Sequence, residues 1–241
     1  MKRMIPNAVT MLALCAGLTA FRFAFNDEWP AAVLCIVAAA ILDALDGRVA
    51  RLLGLSSKFG AELDSLSDFF AFGVAPAMLV YLWTLHQAGG LGWVICMLYC
   101  ICMALRLARF NTALETPNLP AWAKGFFTGV PAPAAAGLAL FPMILSFQTD
   151  AAFVRHPATA IGVLIVVAGL MVSRLPTFSF KNVHIAKGYT WVPVLVAVLI
   201  VGCAIVMPWL TLSVLIGLYI VLLPFASLSY RRKAREGATA H

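Results

Sequence analysis

Charge is scarce in this chain. Only 11% of its 241 residues are Asp, Glu, Lys or Arg, against 63% hydrophobic residues, and the mean hydropathy is +0.95. A soluble globular domain of that composition could not cover its surface with polar groups. Once the apolar runs are set aside, no polar stretch is long enough for an additional soluble domain. A clean small-residue cleavage site is also missing after the first apolar run, where Arg22 and aromatic residues stand instead, so that run is read as a span and not as a removed leader. Zinc-type spacing is absent too. Cys15, Cys35, Cys96, Cys100, Cys102 and Cys203 all lie in apolar runs with no His or acid nearby to complete a site, and are read as small packed hydrophobes. The chain shows no convincing internal repeat. Its basic residues fall in short breaks between apolar runs, which excludes a nucleic-acid-binding surface as the explanation of the net charge of +7.

What is there is a series of apolar segments of span length. Eight are expected, at Pro6–Phe25, Pro30–Leu53, Gly60–Leu85, Gly92–Phe110, Phe126–Phe147, Pro157–Ser173, Thr190–Met207 and Leu210–Tyr230. The fold class is therefore all-α, a polytopic membrane bundle. It is read as one domain over residues 1–241, with a core at 1–180 and an added C-terminal hairpin at about 188–230. Lys2, Arg3, Arg48, Arg51, Lys58, Arg106, Arg109, Lys124, Arg174, Lys181, Lys187 and the Arg231–Arg235 tail fall on one side of this scheme. Only Arg155, with Arg22 near its boundary, falls on the other. The positive-inside rule then puts both termini in the cytoplasm.

Against this background, four aspartates stand out. Carboxylates at membrane depth are costly and mark function by default. Asp43 and Asp46 are three apart, and Asp64 and Asp68 are four apart, so each pair shares a helical face. Asp43, Asp46, Gly47 and Ala50 form one stripe, with Arg51 next to it, and Gly60 shares the face of Asp64 and Asp68. Two such helices joined by a short turn bring carboxylates and nearly absent side chains together. Hard divalent cations, Mg²⁺ or Mn²⁺, prefer such oxygen donors and commonly share them with substrate phosphates. Four carboxylates suit two ions, an arrangement that assists in-line displacement at phosphorus. Two other readings are an ion-pair network with Arg48, Arg51 and Lys58, and a cation pathway of a metal-ion transporter, which would spread acids along the bilayer.

Residues 43–68 resemble the signature of the CDP-alcohol phosphotransferases, D-x2-D-G-x2-A-R-x8-G-x3-D-x3-D, at every fixed position. The resemblance implies a site open to the cytoplasm that binds a CDP-linked lipid. It implies that Asp43, Asp46 and Asp64 ligate metal, and that Asp68 is the base and also touches metal. Gly47 and Ala50 would make room for the cytidine diphosphate, and Arg51 and Gly60 would join them in binding the CDP-lipid. Asn7 and Thr10 resemble the polar start of the family's first span, which lines the nucleotide pocket; capping of the first helix by Asn7 is the other reading. Further segments, SLSDFFAFGVAPA, ALRLARFN, FFTGVPAPAAAG and SRLPTFSFK, resemble the phosphatidylserine synthase branch. That implies transfer from CDP-diacylglycerol to L-serine in a bacterial inner membrane, with homodimerisation and membrane lipids around it. The acceptor's carboxylate would want a cation, and Arg106, Arg109 and Lys124 are the candidates. Glycerol 3-phosphate and inositol phosphate remain open as acceptors. Pro131 and Pro133, inside the fifth expected span, would kink or unwind it.

Overall fold

A computed structural model describes residues 5–53, 58–114, 126–173, 176–178 and 191–238. Lys124, the end of the turn after Leu53 and the basic residues at 174, 181 and 187 lie outside the described residues, as do the side chains of Ala50 and Arg51.

The architecture is a helical membrane bundle. Helix α1 (Ile5–Phe25) turns through Asn26–Glu28 into α2 (Trp29–Leu53). Asp27 takes a left-handed conformation in that turn, at φ 58°, which Asp tolerates better than most residues. Ala20, Ala24, Ala32 and Ala39 are buried and let the two helices approach closely. Next comes one long rod made of three parts: α3 (Lys58–Asp68), a π-helical segment (Phe69–Val74) and α4 (Ala75–Trp83). A 3₁₀ turn (Leu85–Ala88) and Gly89, at φ 58°, lead into α5 (Gly90–Leu114).

The π segment leaves backbone carbonyls out of the α register. Helix α5 supplies their partners: Tyr99 Oη donates to Phe72 O at 3.0 Å, and the Cys100 thiol points to Gly73 O at 3.9 Å. Glycine permits a close approach where this rod meets its neighbours. A Cβ on Gly17 of α1 would lie 3.2 Å from Ala71 Cα, and one on Gly73 would lie 3.0 Å from Met103 Cγ. Phe72, Leu79, Tyr99, Met103, Leu140, Met143, Leu164 and Met171 are fully buried and form the centre of the core.

The fifth expected span begins later than its apolar run suggests. Phe126–Thr128 forms a strand, β1, paired antiparallel with β2 (Pro176–Phe178), so that Phe126 faces Phe178 and Thr128 faces Pro176. Helix α6 (Ala132–Ser146) starts only after Pro131, with Pro133 in its first turn. These prolines therefore open a helix, where a missing N–H costs nothing, and do not kink one. Helix α7 (Pro157–Val172) packs on α5 and α6, and α8 (Trp191–Val206) pairs with α9 (Pro208–Ala238), which leans on α6.

Among the described residues, five helical segments are long and apolar enough to cross a membrane: Asn7–Phe25, Trp29–Arg48, Lys58–Trp83, Gly90–Thr112 and Pro208–Phe225. Ala132–Ser146, Pro157–Val172 and Leu195–Val206 are apolar but shorter. The periphery is apolar as well, with Met11, Leu18, Ile41, Ile101, Val166 and Leu199 exposed, as hydrocarbon solvent requires. Cys96 and Cys102 are buried as expected, whereas Cys15 and Cys203 are exposed on the outside of the bundle.

One end of the bundle is tied by loops. Thr84 Oγ1 donates to Arg155 O at 2.9 Å, and Gln148 Nε2 donates to Ser213 Oγ at 2.7 Å. The aspartates of α2 and α3 lie toward the other end.

Candidate active site

Helices α1, α2, α3 and α5 each contribute to the site. The helical spacing on α2 and α3 does bring acids together: carboxylate oxygens of Asp43, Asp64 and Asp68 all lie within 4.8 Å of one another. The Asp43 and Asp68 carboxyl groups are in hydrogen-bonding contact. Asp46 is close by but turned aside. It is buried, and its Oδ2 accepts a 2.7 Å hydrogen bond from Thr10 Oγ1 of α1. The Thr10 carbonyl in turn accepts from Ser67 Oγ at 3.2 Å. This lacing ties α1, α2 and α3 together one turn from the cluster.

Three carboxylates this close repel one another strongly in a medium of low dielectric. Among the described residues, Arg106 of α5 is the cation whose field reaches Asp43 and Asp68. Arg48 is exposed beside an apolar cavity and Lys58 is exposed at the start of α3, so neither forms the centre of an ion-pair network. A single guanidinium does not balance the cluster. An all-oxygen, all-acidic donor set of this kind fits Mg²⁺ or Mn²⁺. Asp43, Asp64 and Asp68 would hold the metal, and Asp46 would join if its carboxylate shared Thr10 with it.

Arg106 is itself fixed by the backbone. Its Nε donates to Val130 O at 2.6 Å, in the loop that opens α6. That loop depends on Gly129, at φ 80°, where a Cβ would lie 2.8 Å from Met171 O. Arg109 points elsewhere: its Nη1 donates to Val172 O at 2.8 Å and so caps the end of α7. The two arginines share a helix but not a task. Asn111 Nδ2 donates to Ser65 Oγ at 2.9 Å and ties α5 to α3. Asn7 is the third residue of α1 and does not cap it. It is half-buried one turn before Thr10, and Gly47 and Gly60 are half-buried beside the acids. Ser67 and Tyr219 carried no signal in the sequence, Ser67 because nothing sets it apart from Ser65 between the same two aspartates.

The class this defines is an integral membrane enzyme with an acidic, metal-suited centre inside a helical bundle. The family model for CDP-alcohol phosphatidyltransferase matches residues 3–176, and the chain belongs to that family of membrane-bound transferases of phospholipid synthesis. It is 40% identical over 224 residues to the CDP-diacylglycerol–serine O-phosphatidyltransferase of Mycobacterium leprae, covering 93% of this chain and 74% of that one. It is 38% identical over 240 residues to the enzyme of the same name from Mycobacterium tuberculosis, covering 97% and 82%. With that of Helicobacter pylori it shares 34% over 220 residues, covering 90% and 88%.

Proposed function

We propose that the protein transfers the phosphatidyl group of CDP-diacylglycerol to the hydroxyl of L-serine, giving phosphatidylserine and CMP. The observation that carries this reading is the convergence of Asp43, Asp64 and Asp68 beside Arg106 within the bundle. The names of the relatives support serine as the acceptor. The clustering of the acids toward one end, instead of along a path through the bundle, favours transfer over cation transport.

Bound at the aspartates, one or two ions of Mg²⁺ or Mn²⁺ would supply positive charge to a diphosphate. The chain's own residues do the rest. Gly47 and Gly60 leave room for the nucleotide against the helices, Asn7 and Thr10 bind it from α1, and the signature assigns Ala50 and Arg51 to the same role. Asp68 accepts the proton of the serine hydroxyl as its oxygen bonds to the lipid-bearing phosphorus. The bond from that phosphorus to the bridging oxygen breaks, and CMP leaves with the electron pair. Arg106 holds the serine carboxylate. The acyl tails stay in the bilayer throughout. Residues 1–241 act as one unit, a homodimer in the bacterial inner membrane with the termini and the aspartate turn in the cytoplasm. That nearly all Lys and Arg fall on one side of the span scheme read from the sequence supports that orientation.

CMP release by purified protein supplied with CDP-diacylglycerol and Mg²⁺ or Mn²⁺ tests the reading. L-serine should drive release, and glycerol 3-phosphate or inositol phosphate should not. Release with a phosphorylated acceptor alone would refute serine while keeping the family.

A further inference from the structure

Helix α9 lies outside the residues matched by the family model, which end at 176. It nevertheless reaches the site. Gly137 on α6 carries no side chain, and the position of its missing Cβ is 3.7 Å from Ile216 Cδ1 of α9. This close approach brings Tyr219, one turn further along, to the wall of a cavity of about 550 Å³ between α2, α6 and α9. That wall is almost entirely apolar; Val37, Ala44, Ala134, Leu138 and Ile216 are typical of it.

The phenol is out of place in such a wall. Its hydroxyl oxygen is buried and has no hydrogen-bond partner among the described residues. A buried hydroxyl left without a partner costs roughly 1–3 kcal/mol, and Phe would avoid that cost. The Tyr219 hydroxyl lies in the field of Arg106, as do Asp68 and Asp43. Arg106 has committed its Nε to Val130 O, which leaves its terminal N–H groups. A phenol and a guanidinium within each other's field, one offering an O–H donor and the other N–H donors, suit an anion held between them.

We propose that Tyr219 is a specificity-determining residue that donates a hydrogen bond to the carboxylate of the acceptor amino acid, together with Arg106. This inference rests on the serine reading given above. In serine the carboxylate is only a few bonds from the hydroxyl. A group that holds the carboxylate must therefore be a neighbour of the base that takes the hydroxyl proton, and Arg106 neighbours Asp68. The C-terminal hairpin thus contributes to acceptor choice and is not merely an added pair of spans.

Steady-state kinetics on purified wild-type protein and Tyr219→Phe decide the matter. The variant should raise KM for L-serine about 10-fold or more, the loss of one hydrogen bond to a charged group. KM for CDP-diacylglycerol should stay unchanged, and the melting temperature should not fall and should rise slightly, because no bond within the protein is lost and an unpartnered buried hydroxyl is removed. With ethanolamine, which keeps the hydroxyl but has no carboxyl group, wild type and variant should perform alike. An unchanged KM for serine, or a raised KM for CDP-diacylglycerol instead, would overturn the assignment. Should Tyr219→Phe not accumulate, Tyr219→His and Tyr219→Leu are compared: the His variant, which keeps a donor, should hold the KM for serine below that of the Leu variant, and equal values would overturn the assignment. If wild type released no CMP with serine at all, the function proposed above would fail first, so the two failures are distinguishable.

Discussion

The Thr10 hydroxyl donates a 2.7 Å hydrogen bond to Oδ2 of Asp46, across 36 residues of sequence. This contact separates Asp46 from the other three aspartates, which converge on one another. It also makes α1 part of the site, since the carbonyl of Thr10 accepts from Ser67, the neighbour of Asp68. Thr10 therefore positions a carboxylate on α2 and the end of α3 at once.

Replacing Thr10 by Val keeps the shape and removes the donor. A hydrogen bond to a charged group contributes about 1.5–3 kcal/mol. Activity should fall by about 10-fold or more, with a rise in the Mn²⁺ concentration needed for half-maximal rate. An unchanged metal requirement would mean that Thr10 only packs.

The aspartates should divide by role. Asp43→Asn and Asp64→Asn should weaken metal binding, seen as a right-shifted metal titration. Asp68→Asn should lower kcat by about 100-fold or more, the usual contribution of a positioned base. Near-normal turnover in Asp68→Asn would remove it from that role.

Arg106 and Arg109 should separate in the same assay. Arg106→Lys should raise KM for serine strongly, because Lys cannot both hold Val130 O and present a planar fork. Arg109→Lys should leave that KM unchanged and lower the melting temperature slightly, as expected of a residue that caps α7 through Val172 O. Equal effects would contradict the division of tasks.

Gly129→Ala should destabilise the protein. The left-handed backbone costs a non-glycine residue about 1–3 kcal/mol, and the added Cβ would press on Met171 O at 2.8 Å. The loop that presents Val130 O to Arg106 would shift with it. Thermal unfolding and KM for serine should both change; an unchanged melting temperature would argue against a strained turn.

Much of this site was legible in the chain. Spacings of three and four between acids predict shared helical faces, and α2 and α3 deliver them. Spacing does not say which neighbour captures a given carboxylate, and so the diversion of Asp46 to Thr10 was invisible. The apolar run at Phe126 reads as the start of a span, yet its first residues pair with a strand some fifty residues on. Only that distant partner, with Pro131, delays the helix. The π segment after Asp68 had no signal either. FFAFGV is apolar at every position, and its altered register is met by Tyr99 on another helix. Tyr219 was hidden for a similar reason: nothing within α9 marks its hydroxyl as different from that of any membrane tyrosine.

The most direct test measures both products of one reaction. Purified protein is supplied with CDP-diacylglycerol, labelled L-serine and Mn²⁺, alongside a chelated control and Asp43→Asn. Lipid-bound serine and CMP should form in equal amounts, and both should vanish in the control and fall sharply in the variant. CMP formed without serine in the lipid, or undiminished product after chelation, would contradict a metal-dependent phosphatidyl transfer to serine.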